Sequence, residues 1–220
     1  MFADLVEIIS LTLRVTGSAL ILSTLIGIPV GAMLGLRNFM GRRAAMALLY
    51  TGMGFPPVVI GLFVYVLISR AGLLGQLNWP IIPQLFTPQA MILAQTIIAF
   101  PLIAGFTMAA VMGVDPQLHQ QVMSLGATKR QAASTVLWEA RIGVVVAIVA
   151  GFGAIISEVG AVMLVGGNIE PRTRVMTTAI VLETRKGNFE LALAIGAVLL
   201  AITFFINVAM LHLQGKTSND

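Results

Sequence analysis

Glu158 is the only ionisable side chain that lies well inside a long apolar stretch of this chain. If that stretch crosses a membrane, a carboxylate at mid-bilayer costs roughly 2.5–3.5 kcal/mol, so it must face protein or water. The small neighbours Ser157 and Gly160 leave room for a close partner. Two interpretations stay open: a structural ion pair or hydrogen bond, for which Arg14 lies at a suitable depth, or a gate in a transport pathway.

Two further apolar stretches are interrupted by prolines and glycine. Pro56 and Pro57 are adjacent in one of them, and Pro101 and Gly105 lie close together in the other. Each proline removes a backbone amide donor, so we expect kinked helices at these positions. Helices interrupted at corresponding depths are typical of transport pathways. Kinked packing without any transport role explains the same residues equally well.

The composition excludes several classes of protein. The chain has 220 residues, of which 58% are hydrophobic and 10% charged, against about 45–50% and 25% in soluble domains. This excludes a soluble globular enzyme, and also a disordered chain, which needs low hydrophobicity and high net charge. With zero cysteines and two histidines, we expect no metal site and no catalytic residue. The net charge of +4 comes from thirteen scattered basic residues, which does not indicate nucleic-acid binding.

Five apolar stretches are long enough to cross a bilayer, since a helix needs about 20 residues to span ~30 Å of hydrocarbon. They cover about residues 11–36, 44–69, 89–114, 142–165 and 191–213. A further apolar segment, 174–184, is too short to cross, and we interpret it as a short helix at the membrane edge. Six spans remain the alternative. We expect residues 1–220 to form one all-α integral membrane domain.

The distribution of basic residues predicts the orientation, because Lys and Arg concentrate in cytoplasmic loops. Arg42 and Arg43 follow the first span, Lys129 and Arg130 follow the third, and Lys216 follows the fifth. With five spans these three regions lie on one side of the membrane. We therefore expect the N-terminus outside and the C-terminus in the cytoplasm.

Small residues recur at every fourth position of the first span. They are Ala19, Ser23, Gly27, Gly31 and Gly35. This spacing places a smooth groove on one helix face, where a neighbouring backbone can approach closely. We interpret the groove as a packing surface, within the chain or across a dimer, with a pathway lining as the alternative.

The polar stretch 115–139, cytoplasmic by the basic-residue bias, predicts two helices joined by a glycine turn. Asp115 can cap a helix that has Pro116 at its first position. Gly126 suits the left-handed conformation that ends a helix. Thr128 followed by Gln131 forms a capping box that starts a second helix. A rigid helix pair outside the membrane indicates a docking surface, although a solvated hairpin is the simpler alternative.

Several motifs resemble permeases of ABC importers. In Gln120–Ala127, the glycine and the alanine after it match the "EAA" loop of these permeases, whereas Gln120 replaces the usual leading acid. Other segments resemble the molybdate/tungstate/sulfate branch, and the later ones are most similar to tungstate permeases. These segments are Gly54–Gly61, Ser157–Val162, Gly166–Ile169, Thr173–Arg174 and Thr177–Thr184. The resemblance covers nearly the whole chain.

The resemblance implies a type I importer permease fold with a cytoplasmic coupling-helix loop, working as a homodimer in the cell inner membrane. Two ATPase subunits would carry the ATP and Mg²⁺ and dock on the loop, and an external or periplasmic binding protein would deliver an oxyanion. This chain would hold no cofactor and catalyse no reaction. The residues implied in coupling to the ATPase are Gln120, Gln121, Ser124, Leu125, Gly126, Ala127 and Thr128.

The implied cargo is tungstate, with molybdate or vanadate as alternatives. Because the chain offers no deep basic cluster, we expect only brief, weak contacts between the permease and its cargo, as conduction requires. The residues assigned to the pathway or gate are Pro56, Pro57, Thr96, Ser157, Glu158, Thr177 and Thr178. An ion-coupled secondary transporter, a membrane-embedded enzyme and a purely structural subunit are the rival classes. Clear inverted repeats and clustered carboxylates, which the first two would need, are not visible.

Overall fold

The computed structural model describes residues 2–77 and 79–218, and within them every regular element is a helix. In chain order the α-helices are α1 Phe2–Leu36, α2 Arg42–Met53, α3 Pro57–Ile68, α4 Pro88–Met112, α5 Pro116–Ser124, α6 Lys129–Glu139, α7 Arg141–Ile156, α8 Gly160–Gly166, α9 Met176–Arg185 and α10 Phe189–Ser218. A 3₁₀ turn, Gly75–Leu77, lies between α3 and α4. The predicted all-α class is confirmed.

Three helices are long and apolar enough to cross a membrane unaided. These are Leu5–Leu36 in α1, Pro88–Met112 in α4 and Phe189–Met210 in α10. They coincide with the predicted spans 11–36, 89–114 and 191–213. The side chain of Thr87 accepts a hydrogen bond from the amide of Ala90 and so caps the start of α4, next to Pro88 at the first helical position.

The other two predicted spans are not single helices. Residues 44–69 form α2 and α3, which meet at 104°, because Pro56 adopts an extended conformation before Pro57 starts α3. The bend is much larger than the kink we expected. Residues 142–165 form α7 and α8, separated at 157–159, where we expected one span. A second bend, of 65°, separates α6 from α7.

The small residues of α1 pack against α4. A Cβ atom on Gly31 would lie 2.3 Å from the carbonyl oxygen of Ala104, and one on Gly35 would lie 2.7 Å from Val111. The two backbones therefore approach too closely for any larger residue. The packing interpretation of this stripe is confirmed, and the contact lies within one chain.

Replacing Gly31 with valine is expected to lower the free energy of unfolding by about 1–3 kcal/mol, the usual cost of overpacking a filled interface. Gly17 provides the matched control, because it lies in the same helix and a Cβ there meets nothing within 4 Å. Thermal unfolding of the purified variants in detergent measures the effect. Equal melting temperatures for Gly31→Val and Gly17→Val would contradict the close α1–α4 contact.

The short apolar segment 174–184 forms the helix α9, packed on α1 and α10. Its first amide, on Met176, donates to the hydroxyl of Thr12 in α1 at 3.0 Å. Near its end, the buried carboxylate of Glu183 accepts hydrogen bonds from Asn188 and Lys186, both 2.8 Å. The bond from Asn188, followed by that from Lys186, lowers the pKa of Glu183. The carboxylate therefore stays charged and fixes the turn into α10.

Candidate functional site

The segments Gly54–Gly61 and Ser157–Val162, which lie about a hundred residues apart in the sequence, meet in the structure. α3 packs on α8 so tightly that a Cβ atom on Gly61 would lie 2.4 Å from the Cα of Ala161. A Cβ atom on Gly160 would lie 2.3 Å from the side chain of Val58. Each helix begins at an interruption of helical structure, after Pro56 in one case and after Val159 in the other. The contact therefore joins two interrupted helices. Interrupted helices are typical of transport pathways.

Glu158 lies in the break between α7 and α8 and is 8% exposed. Its Oε1 accepts a hydrogen bond of 2.7 Å from the amide of Ala161, one of the amides that a helix start leaves without a partner. Arg14 is exposed, and among the described residues Glu158 forms no ion pair with it. The suggested partner is therefore wrong. The carboxylate caps the backbone of α8.

Gln95 of α4 is a site residue that our reading of the sequence missed. Its side chain is almost fully buried, and its Nε2 donates to the carbonyl of Ile155 at 3.0 Å. That carbonyl lies in the last turn of α7 and also accepts from the amide of Glu158 at 3.3 Å, so Gln95 adds a second donor to it. A single amide side chain in the middle of an apolar span was the available signal, because a buried polar group in a membrane must find a partner.

Thr177 is the third side chain that forms a hydrogen bond with the backbone at the break. Its hydroxyl donates to the carbonyl of Glu158 at 2.9 Å. Gln95, Glu158 and Thr177 thus come from α4, the break itself and α9, and each satisfies one backbone group at or beside the interruption. Buried backbone groups left without partners cost about 1–3 kcal/mol each, so Glu158 and Thr177, which bond the amide of Ala161 and the carbonyl of Glu158, stabilise the interruption. Gln95 adds a second donor to a carbonyl that also accepts from the amide of Glu158.

The remaining pathway candidates differ in burial and in the hydrogen bonds that they form. Thr178 is buried, and its hydroxyl bonds the backbone of Val175, donating at 3.0 Å and accepting at 3.1 Å. The hydroxyls of Thr96 and Ser157 donate to carbonyls one turn earlier in their own helices, at 2.7 and 2.8 Å. Ser157 and Pro56 are exposed, Pro57 and Thr96 are partly buried. The structure therefore brings Ser157, Glu158 and Thr177 together at the break, and Thr96 lies in α4.

The loop between α4 and α7 has the predicted form. Asp115 caps α5 by accepting from the amide of Gln117 at 2.8 Å. Gly126 ends the turn after α5 with φ of +89°. The amide of Ala127 donates to the carbonyl of Val122 at 3.3 Å, and that of Gly126 to the carbonyl of Met123 at 3.1 Å, as in a Schellman cap. These local signals fix where α5 stops.

The second helix of the loop starts with the predicted capping box. The side chain of Gln131 accepts from the amide of Thr128 at 2.8 Å, while the hydroxyl of Thr128 accepts from the amide of Gln131 at 3.3 Å. Between the helices, Leu125 is 88% exposed. The other predicted coupling residues are exposed or partly buried: Gln120, Gln121, Ser124, Gly126, Ala127 and Thr128. A rigid turn that presents an apolar side chain to solvent is suited to docking in a cleft.

Comparison with known proteins gives one family match and similar permeases. Residues 27–219 match the family of binding-protein-dependent transport system inner membrane components. A probable anion ABC transporter permease protein of Haloferax volcanii is 41% identical over 218 residues, covering 97% of this chain and 92% of that protein. The tungstate uptake system permease protein TupB of Peptoclostridium acidaminophilum is 38% identical over 207 residues, covering 94% and 89%.

Among solved structures, the MetNI methionine ABC transporter in inward-facing conformations has a chain with the same fold. The TM-score is 0.81 at 20% identity, and the alignment covers 99% of this chain and 97% of that chain. At this identity the likeness concerns the fold. The arrangement of α1 to α10 is thus that of a chain of this ABC transporter.

Proposed function

Because the chain belongs to the family of binding-protein-dependent transport system inner membrane components, we propose that it is the permease of an ATP-driven oxyanion importer, with tungstate as the cargo. The observation that carries the proposal is the 38% identity, over 94% of this chain, to a tungstate uptake permease. The 41% identity to an anion permease supports the wider class. Molybdate and vanadate are the alternative cargoes.

We propose five membrane spans, with the N-terminus outside and the C-terminus in the cytoplasm. α1, α4 and α10 are three of them, and α2 with α3 forms a broken fourth. α7 alone has 16 residues, about 24 Å at 1.5 Å per residue, which is short of the ~30 Å core. We therefore count α7 and α8 together as one broken span and place α5 and α6 in the cytoplasm. α9 lies at the external edge.

In this account the α5–α6 loop is the coupling element. Two copies of the chain pair around a central pathway, since five spans are few to enclose a water-filled route and homo-oligomers are usually symmetric. Each copy presents Leu125 and its neighbours to an ATPase subunit, which holds the ATP and Mg²⁺. An external binding protein delivers the oxyanion. The supporting feature is the capped, exposed helix pair on an otherwise apolar protein.

The contact between α3 and α8 is the proposed moving part of the pathway. Pro56 and Ser157, exposed at the two breaks, are placed at its surface with Pro57 and Thr96. Thr177, Thr178 and Glu158 are placed behind it, because they bond the backbone that shapes the break. Weak, brief contacts with the anion suit a conducting route, and selection of the anion is assigned to the binding protein.

The test is uptake of radiolabelled tungstate into vesicles that contain the permease, its ATPase and the cognate binding protein. We expect ATP-dependent uptake that unlabelled tungstate competes for more effectively than molybdate or vanadate. Preference for molybdate or vanadate would contradict tungstate as the cargo, and the chain would still be the permease of an ATP-driven oxyanion importer. Uptake that persists with an inactive ATPase and follows an ion gradient would overturn the class.

A further inference from the structure

A cavity of about 810 Å³ lies between the end of α3, the segment that follows it and the start of α4. Tyr65 of α3 and Gln89 of α4 are among the residues that line it. In the proposed five-span arrangement this side of the chain is external, because α3 runs outward and α4 returns. A water occupies about 30 Å³ in the liquid, so the cavity can hold a small ion together with its hydration shell.

Arg70 gives this cavity its charge. It is exposed and lines the cavity, and it is the only charged residue between Arg43 and Asp115 in the sequence. Among the described residues, the Arg70 side chain forms no ion pair and no hydrogen bond. The described residues that line the cavity include no Asp or Glu. The cavity therefore offers a guanidinium whose charge is not balanced.

Other side chains of the lining can donate hydrogen bonds. Trp79, Gln84 and Gln89 line the cavity together with Arg70. An indole N–H only donates, and each side-chain amide has two N–H donors. Within the part of the chain that the structure describes, none of these three side chains forms a hydrogen bond. A guanidinium presents five N–H groups in a rigid fork that fits the oxygens of carboxylate and phosphate. The lining therefore suits an anion that carries several oxygens.

The cavity adjoins both helices of the α3–α8 contact. Phe86, in the cavity lining, donates its amide to the carbonyl of Val165 in α8 at 2.8 Å. The ring of Phe86 meets that of Tyr65 in α3 edge to face, with 6.4 Å between the ring centroids. A Cβ atom on Gly167, just after α8, would lie 2.7 Å from the ring of Phe86. An anion in the cavity therefore lies at the outer ends of the two helices that form the proposed moving part, which favours the cargo as the occupant.

We propose that this cavity is a weak entry site for the oxyanion cargo, in which Arg70 pairs with the anion before it reaches the α3–α8 contact. The proposal rests on the proposed function for the identity of the anion, a tetrahedral dianion such as tungstate. Exposed ion pairs are weak and are screened by salt. We therefore expect a Kd of about 1 mM, and such weak binding suits release into a conducting route.

The experiment uses the full chain in vesicles and measures how fast a negatively charged thiol reagent modifies an introduced cysteine. Because the chain has zero cysteines, Pro80→Cys, an exposed position in the lining, reports the cavity. The matched reporter is the neighbouring Ile81→Cys, 86% exposed and outside the lining. About 4 mM tungstate should slow modification of Pro80→Cys about fivefold relative to sodium chloride of equal ionic strength, since the rate falls by one plus the ratio of tungstate concentration to Kd. Modification of Ile81→Cys should not change.

Charge variants identify the group that holds the anion. Arg70→Gln is expected to abolish the slowing at Pro80→Cys. Arg70→Lys keeps the charge but loses the fork, and should retain a slowing of about twofold. Arg172→Gln, the loss of an exposed charge outside the cavity lining, should retain the full effect. Equal melting temperatures for the three variants would show that the differences come from binding.

No slowing at Pro80→Cys, equal slowing at both reporters, or slowing that Arg70→Gln retains would overturn the proposal. Slowing in detergent that is lost in vesicles would assign Arg70 to a lipid phosphate and would also overturn it. If the binding protein slows modification and tungstate does not, the cavity is a protein-docking surface and the proposal is wrong. Transport is not measured, so each of these results leaves the proposed function standing, and a failure of ATP-driven uptake leaves the slowing by tungstate unaffected.

Discussion

Replacing Gly126 with valine is expected to abolish ATP-driven uptake while the protein still inserts and accumulates. Gly126 has φ of +89°, a conformation that costs a residue with a Cβ roughly 1–2 kcal/mol and suits a β-branched residue least. The strain is relieved if the Schellman cap opens, which changes the angle between α5 and α6. ATP hydrolysis then continues without transport, because the turn no longer transmits movement. Uptake and phosphate release, measured on the same reconstituted complex, test this.

The chain provides a closely matched control at the end of α9. Gly187 has φ of +82° and meets nothing within 4 Å, as Gly126 does. It closes the same kind of cap, since the amide of Asn188 donates to the carbonyl of Glu183 at 2.9 Å. Gly187→Val carries the same backbone strain away from the proposed ATPase contact, so coupling should survive. If both variants transport normally, or both fail alike, the turn at Gly126 has no specific coupling role.

Glu158→Leu is expected to lower the free energy of unfolding by about 1–3 kcal/mol, the cost of leaving the buried amide of Ala161 without a partner. Glu158→Gln should lose less, because a side-chain amide oxygen also accepts a hydrogen bond. A change of 1.4 kcal/mol shifts an equilibrium about tenfold. We therefore expect Glu158→Leu to lower the equilibrium constant for folding about tenfold and to reduce uptake because the break loses its fixed geometry, whereas Glu158→Gln stays close to the unsubstituted chain in both.

Melting temperature and uptake, measured together for both variants, separate stability from function. Glu190→Leu removes an exposed carboxyl side chain at the start of α10 and should change neither quantity. The order of the two Glu158 variants is the decisive result. If the leucine and glutamine variants have the same melting temperature and the same uptake, the hydrogen bond to Ala161 contributes to neither. If glutamine is as damaging as leucine only in uptake, the negative charge itself acts in transport.

The loop that holds α5 and α6 could be predicted residue by residue, because its signals are local. A capping side chain acts on amides two or three residues away, so Asp115, Thr128 and Gln131 identified the helix starts without knowledge of the fold. Gly126 marked the turn for the same reason. The stripe of small residues in α1 likewise predicted a close helix contact, which the structure places on α4 at Gly31.

The interruption between α7 and α8 could not be predicted in this way. Residues 142–165 carry no charged side chain except Glu158, and their composition suits one continuous helix. The break is stabilised by Gln95 and Thr177, 60 and 19 residues distant from their acceptors, which bond backbone carbonyls beside it. Such long-range partners leave no periodic pattern in a sequence. The same limit explains why Arg14 was the wrong partner for Glu158: matching depth does not fix the direction in which a side chain points.

Vesicles that hold only this purified chain offer the most direct test of the central claim, that the chain is a membrane element driven by a separate ATPase. With tungstate and the binding protein outside and ATP inside, the account predicts no accumulation of tungstate above the outside concentration. Adding the ATPase subunits to the same preparation should start uphill uptake, and an ATPase unable to hydrolyse ATP should not. Uphill accumulation by the chain without the ATPase would contradict the account.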